Sequence, residues 1–309
     1  MNWIIFIAIN IISASMAIFI DNYVTDFYFK GREANSVKTL SGFAYVIYAI
    51  VMALIFGINF QDADVLSIIL IFSTGIISSI GSIPYLKALE CDDSINLGIF
   101  IQSAPVLYLI LGWFLLGESF SPLQLVSFAI ILSAPVIILL NTRKRSRKVR
   151  LKAIMYASLF IITYVASALI FVMENGSGLN LTSSLAIVLF GKGIGNILIV
   201  AFKPKWRKRF RHVVKESKNK ALIPITINTV VAVIADFSYR IGLATAPTVA
   251  FASAISDTGE PIAIFFLGLV LTLIWPKFGR EKLDRKTVRV HLIATVLVVI
   301  GIIIMQVQI

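Results

Sequence analysis

Long apolar runs broken by tight clusters of charge constrain this chain more than any other feature. A hydrocarbon core of about 30 Å needs roughly 20 apolar residues in helical form. Inside it each backbone N–H and C=O must be bonded within the segment, which for runs of this length means α-helix. We count ten such runs, roughly 2–20, 39–59, 65–88, 94–116, 122–141, 152–173, 181–202, 221–243, 247–275 and 288–308. Charged residues make up only 14% of the chain, against about 25% in a soluble domain. No sizeable soluble domain fits between the runs. The expected class is an all-α polytopic membrane protein with ten transmembrane helices.

Charge placement predicts the orientation. The net charge of +12 would suit nucleic acid, but its distribution points elsewhere. All Lys and Arg except Lys192 and Arg240 fall in or beside the odd-numbered loops: at 30–38, at Lys87, at 143–152, at 203–220 and at 277–289. With ten spans these loops share one face, which the positive-inside rule makes cytoplasmic. Both termini are then expected outside, and the protein is expected in the cell (plasma) membrane as a multi-pass span. One missed helix would split the basic loops between two faces. Trp206, Phe210 and Val213 with Val214, at helical spacing among basic residues, predict an interfacial helix on anionic lipid; a solvated basic loop is the alternative. The first run has neither a basic leader nor a clear cleavage site, so a retained span is expected rather than a signal peptide.

The chain also repeats itself. Tyr85-Leu86-Lys87-Ala88-Leu89, Ala104-Pro105 and Gly112 answer to Tyr239-Arg240-Ile241-Gly242-Leu243, Glu260-Pro261 and Gly268. This divides the chain into five-helix halves at 1–145 and 146–309. An odd number of spans per half puts the halves in opposite orientations, an arrangement carriers use to build a site near the midplane. At one short connection, Ser121 is placed to cap the next helix with Pro122 at its first position.

Tyr85-Leu86-Lys87-Ala88-Leu89, Ser103-Ala104-Pro105, Leu116-Gly117-Glu118 and Leu123-Gln124 before a span rich in small residues resemble the EamA-type branch of the drug/metabolite transporter superfamily. The resemblance is clearest over residues 69–140 and extends to both halves. It implies a ten-helix inverted-repeat exporter of small metabolites, often amino acids. Two features depart from that pattern. The second half has a basic loop at 276–287 where the Leu-Gly-Glu element would stand, and typical members keep their termini in the cytoplasm.

Ionisable residues inside the apolar runs are the functional candidates, because a charge at the bilayer centre costs at least about 2.5–3.5 kcal/mol. Lys192 lies between Gly191 and Gly193, with Gly195 beyond; these glycines suit close helix packing rather than a nucleotide loop. Lys192 is placed either to meet a substrate anion or to neutralise the ninth helix. Asp236 and Arg240 have the spacing of an i,i+4 pair. Asp257 and Glu260 share a helix face just before Pro261. They are candidates for binding a cationic group or a coupling proton, with pairing to Lys192 and Arg240 as the structural alternative. Asn10, Tyr85, Gln102, Ser103 and Tyr239 complete the candidate site, with Ser82, Tyr108, Tyr164, Asn196 and Asn228 weaker. Glu118 is read as structural, at a helix boundary.

The lone Cys91 excludes an intramolecular disulfide and argues against a thiolate metal cluster. The two histidines, His212 and His291, belong to no metal-ligand motif. No cofactor, catalytic residue or metal site is expected, and nucleic acid is not an expected partner. Monomer and homodimer are both open. The expected activity is secondary transport of a small polar metabolite such as an amino acid by alternating access, with the proton as candidate coupling ion. A lipophilic-cation efflux carrier is the alternative within transport, and an intramembrane enzyme the alternative outside it.

Overall fold

In the computed structural model the protein is described over residues 3–28, 34–59, 63–91, 103–142, 151–175, 177–202, 222–274 and 285–306. The secondary structure of these residues is helical, without strands. The helices are α1 (Trp3–Tyr28), α2 (Ala34–Phe56), α3 (Val65–Cys91), α4 (Ala104–Leu115) and α5 (Pro122–Thr142). They continue with α6 (Leu151–Glu174), α7 (Leu181–Phe202), α8 (Leu222–Thr245), α9 (Val249–Ile274) and α10 (Arg285–Gln306). The fourth run was expected from 94. The described helix begins ten residues later, with Pro105 in its first turn; residues 92–102, Gln102 among them, lie outside the described residues. So do most of the basic loops and the interfacial segment with Trp206.

Six helices, α1, α3, α6, α7, α8 and α9, contain stretches long and apolar enough to cross a membrane. Shorter apolar stretches lie in α2, α4, α5 and α10. Large apolar side chains are exposed, with Leu54 and Phe202 at 80% and Phe114 at 76%. Exposed apolar surface on this scale marks contact with something other than water. The chain has the make-up of a helical membrane protein.

The chain forms two compact units, each drawn from separate stretches of sequence. The first comprises Met1–Ser15, Pro84–Ile161 and Ile241–Ile309; the second comprises Met16–Ile83 and Ile162–Arg240. Helices α1, α3, α6 and α8 each give one end to each unit.

In the first unit α9 packs against α4, α5 and α10, and α10 against α5. Ala134, Ile262, Ala294 and Val298 form one core cluster, where small residues let the helices approach. Phe251 of α9 sits edge-on to Phe120 and Phe128, each with centroids 6.0 Å away. The expected cap of α5 is present: Gln124 N–H donates to Ser121 Oγ (3.2 Å), and Ser121 N–H donates to Gln124 Oε1 (2.9 Å). This reciprocal pair satisfies two N–H groups that a helix start leaves open.

In the second unit α2 packs along α7. Tyr45, Ala49 and Leu189 form its core, flanked by Tyr48, Met52, Val233 and Phe237. The glycines around Lys192 are close-packing positions, as expected. Gly191 lies against the backbone of Phe72, and Gly195 against Ser79, both on α3. Gly193 faces Gly42 and Val46 on α2. Thus α7 turns successive glycines toward two neighbours. Asn180 caps α7, accepting the N–H of Ser183 at 2.7 Å.

Candidate functional site

The second unit brings Lys192, Asp236 and Arg240 together. Lys192 stands at the middle of α7; Asp236 and Arg240 lie one turn apart on α8. Asp236 is shared. Its Oδ2 accepts from Lys192 Nζ at 3.3 Å, and its Oδ1 lies 3.4 Å from Arg240 Nε. The expected Asp236–Arg240 pair is present, and Lys192 joins it. Lys192 Nζ also sits 4.9 Å from the centre of the Tyr45 ring, a favourable site for a cation on an aromatic face.

Arg240 is only 3% exposed. Its Nη2 donates to Ser167 Oγ (3.3 Å) and Ser78 Oγ (3.4 Å), and its guanidinium carbon lies 5.1 Å from the centre of Phe171. Ser167 gives its one proton to the carbonyl of Thr74 (2.9 Å), so Ser78 must be the donor in the 2.8 Å bond between the two hydroxyls. Both serine oxygens therefore face the guanidinium as acceptors. Tyr239 is buried beside this group and stacks on Tyr164 at 5.8 Å.

The first unit holds Asn10, Tyr85, Ser103, Asp257 and Glu260. Glu260 stands near the middle of α9, half-buried, directly before Pro261. Its carboxylate has no hydrogen-bond or ion-pair partner among the described residues. The backbone around it is secured: Ser15 Oγ lies 3.3 Å from the Glu260 carbonyl and bonds Ile11 O at 2.7 Å. One turn earlier on α9, Ser256 donates to Asn10 Oδ1 at 2.6 Å. Ile7 and Ile11 of α1 lie against Gly242 and Gly259. Asn10, Ile11 and Ser15 thus fix the start of α1 along α9. Pro261 has no N–H for the carbonyl of Asp257.

Tyr85 contacts Phe160 at 5.1 Å between centroids. Ser103 is exposed at the start of α4, and its side chain makes no cap bond. Ser78, Ser167, Ser15 and Ser256 were not among the expected site residues. Ser78 was accessible from spacing, since Thr74, Ser78 and Ser82 form an i,i+4 stripe along α3. Ser167 carried no such mark.

Glu118 is structural. Gly117 adopts a left-handed conformation (φ +67°), and Glu118 N–H bonds Gly112 O at 3.1 Å. Its carboxylate then accepts the N–H of Val249 at 2.6 Å, with Ala250 beside it, at the start of α9. Burial raises the Glu118 carboxyl above its ordinary value, against the lowering effect of these two N–H groups.

Among the described residues no group of three His, Cys, Asp or Glu is placed to hold a metal. A cleft of about 480 Å³ in the second unit is lined by Ile50, Ala53, Ile69, Phe72, Ile187 and Phe190, among other apolar residues. It offers no polar side chain to orient a substrate, unlike a typical small-molecule site.

No family model and no curated protein matches the chain. A solved structure described only as "Crystal structure of protein" matches with a TM-score of 0.65 at 15% identity, covering 97% of each chain. At that identity the likeness is one of fold.

Proposed function

We propose that this chain is a secondary transporter of the EamA type, in the drug/metabolite transporter superfamily. It moves small polar metabolites such as amino acids, in the export direction, across the plasma membrane by alternating access. A proton supplies the coupling, and Glu260 carries it. The observation behind this reading is the Glu260 carboxylate, mid-helix in α9 and without a partner among the described residues. A carboxyl lacking a counter-charge crosses a low-dielectric region far more cheaply neutral than ionised. A group that must bind and release one proton per cycle needs that contrast. Pro261 beside it gives α9 a place to flex.

Ten spans in two inverted halves belong to the same proposal. Support comes from packing within the units. Helix α2 pairs with α7 in one, and α5 with α10 in the other. Both pairs relate helices five apart, as a five-helix repeat requires. The helices divided between the units, α1 with α6 and α3 with α8, are also five apart.

Proteoliposomes with an imposed pH gradient test the reading. Wild-type protein is expected to accumulate labelled amino acids against their gradient and to move protons with them. Glu260→Gln is expected to lose gradient-driven accumulation while exchange at equal pH persists. Full gradient-driven accumulation by Glu260→Gln overturns the assignment.

A further inference from the structure

We infer that Arg240, seated on Ser78, Ser167 and Phe171, is the point at which the transported substrate's carboxylate binds. The inference rests on the transport reading above and names the substrate class.

Charge balance leads to it. Lys192 at the middle of α7 and Arg240 in the C-terminal part of α8 contribute two positive charges, and Asp236 contributes the one negative charge they share. The cluster formed by these three residues therefore carries a net charge of +1. Ser78 and Ser167 orient the guanidinium but add no charge. A buried ion that must share its counter-charge with a second cation keeps part of its desolvation cost.

Donor accounting picks out the atom. Lys192 is answered by the Asp236 carboxylate and the Tyr45 ring. In Arg240, Nη2 donates to the two serines, whereas Nε and Nη1 are both buried without a hydrogen-bond acceptor among the described residues. Nε has the Asp236 carboxylate 3.4 Å away as its ion-pair partner, and Nη1 has no such counter-charge within reach among the described residues. Leaving a buried charged donor unmet is costly, and the missing partner has a defined chemistry. It must be anionic to complete the charge and must accept from a planar guanidinium. A carboxylate meets both needs. Phe171 and the serines hold the guanidinium in advance, so little ordering is left for the bound state. Nη1 is closed off in the described conformation, so the substrate meets it in another state of the transport cycle. The sequence pointed to Lys192 for an anion; its close pairing moves that role to Arg240.

Thermal unfolding of the full chain in detergent tests this without any gradient. Acetate, L-alanine and succinate would be titrated against chloride, phosphate and sulfate at matched ionic strength. The carboxylates are expected to raise Tm saturably, and the inorganic anions are not. Arg240→Gln should weaken the carboxylate effect by about tenfold or more, with a ligand-free Tm at or above wild type because a neutral Lys192–Asp236 pair remains. Arg240→Lys, which keeps the charge and loses the fork, should also weaken it. Lys192→Gln, which removes the cluster's net charge but leaves Arg240 Nη1 in place, should weaken it less than Arg240→Gln does.

Absence of any saturable carboxylate effect in wild type overturns the inference. So does an undiminished effect in Arg240→Gln, or an equal response to phosphate and sulfate. A ligand-free Tm for Arg240→Gln well below wild type shows a purely structural arginine and also overturns it. Failure of the Glu260 reading is distinguishable: Glu260→Gln would then keep its gradient-driven flux while the carboxylate effect stood unchanged.

Discussion

The two units solve the same problem in opposite ways. Each places ionisable side chains within apolar helices. In the second, Lys192, Asp236 and Arg240 answer one another, with hydroxyls and aromatic faces filling most of what remains. In the first, Glu260 stands on a well-secured backbone, yet its carboxylate has no partner among the described residues. A charge that its surroundings satisfy explains how a helix is held in place. A charge left unsatisfied must be explained by something that arrives, such as a proton. On this contrast the first unit holds the carboxylate proposed for proton coupling, while the second holds a largely prepaired cluster in which Arg240 Nη1 has no acceptor among the described residues.

The largest expected effect separates the two. Asp236→Asn leaves Lys192 and Arg240 buried without their shared carboxylate, and removing one partner of a buried pair costs about 3–5 kcal/mol. Loss of monodisperse protein in detergent, or a collapse in Tm, is the expected result. The matched change Glu260→Gln removes no described partner, so its Tm should stay close to wild type. Equal losses in the two variants would break the comparison.

A smaller effect comes from the glycines. A Cβ at Gly75 would meet the backbone of Val188 and Lys192, which cannot step aside without moving α3 from α7. Gly75→Ala is expected to cost about 1–3 kcal/mol as an overpacked contact. In the first unit a Cβ at Gly259 would meet the tip of the Ile11 side chain, which can rotate. Gly259→Ala should cost less, and unfolding curves of the two variants side by side check the order. The reverse order would place the tighter backbone contact on the Glu260 side.

Much of this architecture was legible in the residues. The apolar runs located the described helices closely, with ends at 181 and 202 for α7 agreeing outright. The Ser121 cap, the close-packing role of the Lys192 glycines and the Asp236–Arg240 pair followed from local rules of spacing. What spacing could not supply was which distant groups meet. Lys192 lies 44 residues from Asp236, and nothing local distinguishes that partner from Glu260. Nor does sequence reveal that Ser167 and Ser78, two ordinary hydroxyls in apolar helices, converge on Arg240. The basic-loop asymmetry was the clearest signal in the chain. It falls mostly outside the described residues, so orientation rests on the charge rule.

The smallest effect concerns a second glutamate on α9's surroundings, and it sharpens the contrast with Glu260. Glu118 has what Glu260 lacks: backbone N–H groups of Val249 and Ala250 at a helix start, where the dipole favours a negative charge. Burial nonetheless outweighs them and raises the carboxyl above its ordinary 4.5. The folded protein then binds this proton more tightly than the unfolded chain does. Its contribution to stability is full below the unfolded value of 4.5 and is lost as pH rises through the raised folded value. Glu118→Gln cannot ionise, so it should lack this slope. The Tm of wild type minus that of Glu118→Gln, followed from acid to neutral pH, is expected to fall. A difference that rises with pH would mean the two N–H bonds outweigh burial, and that a helix start can fully satisfy a carboxylate here. Glu260, in the middle of the same helix, has no such end to bind, so whatever balances its charge must come from outside the described residues.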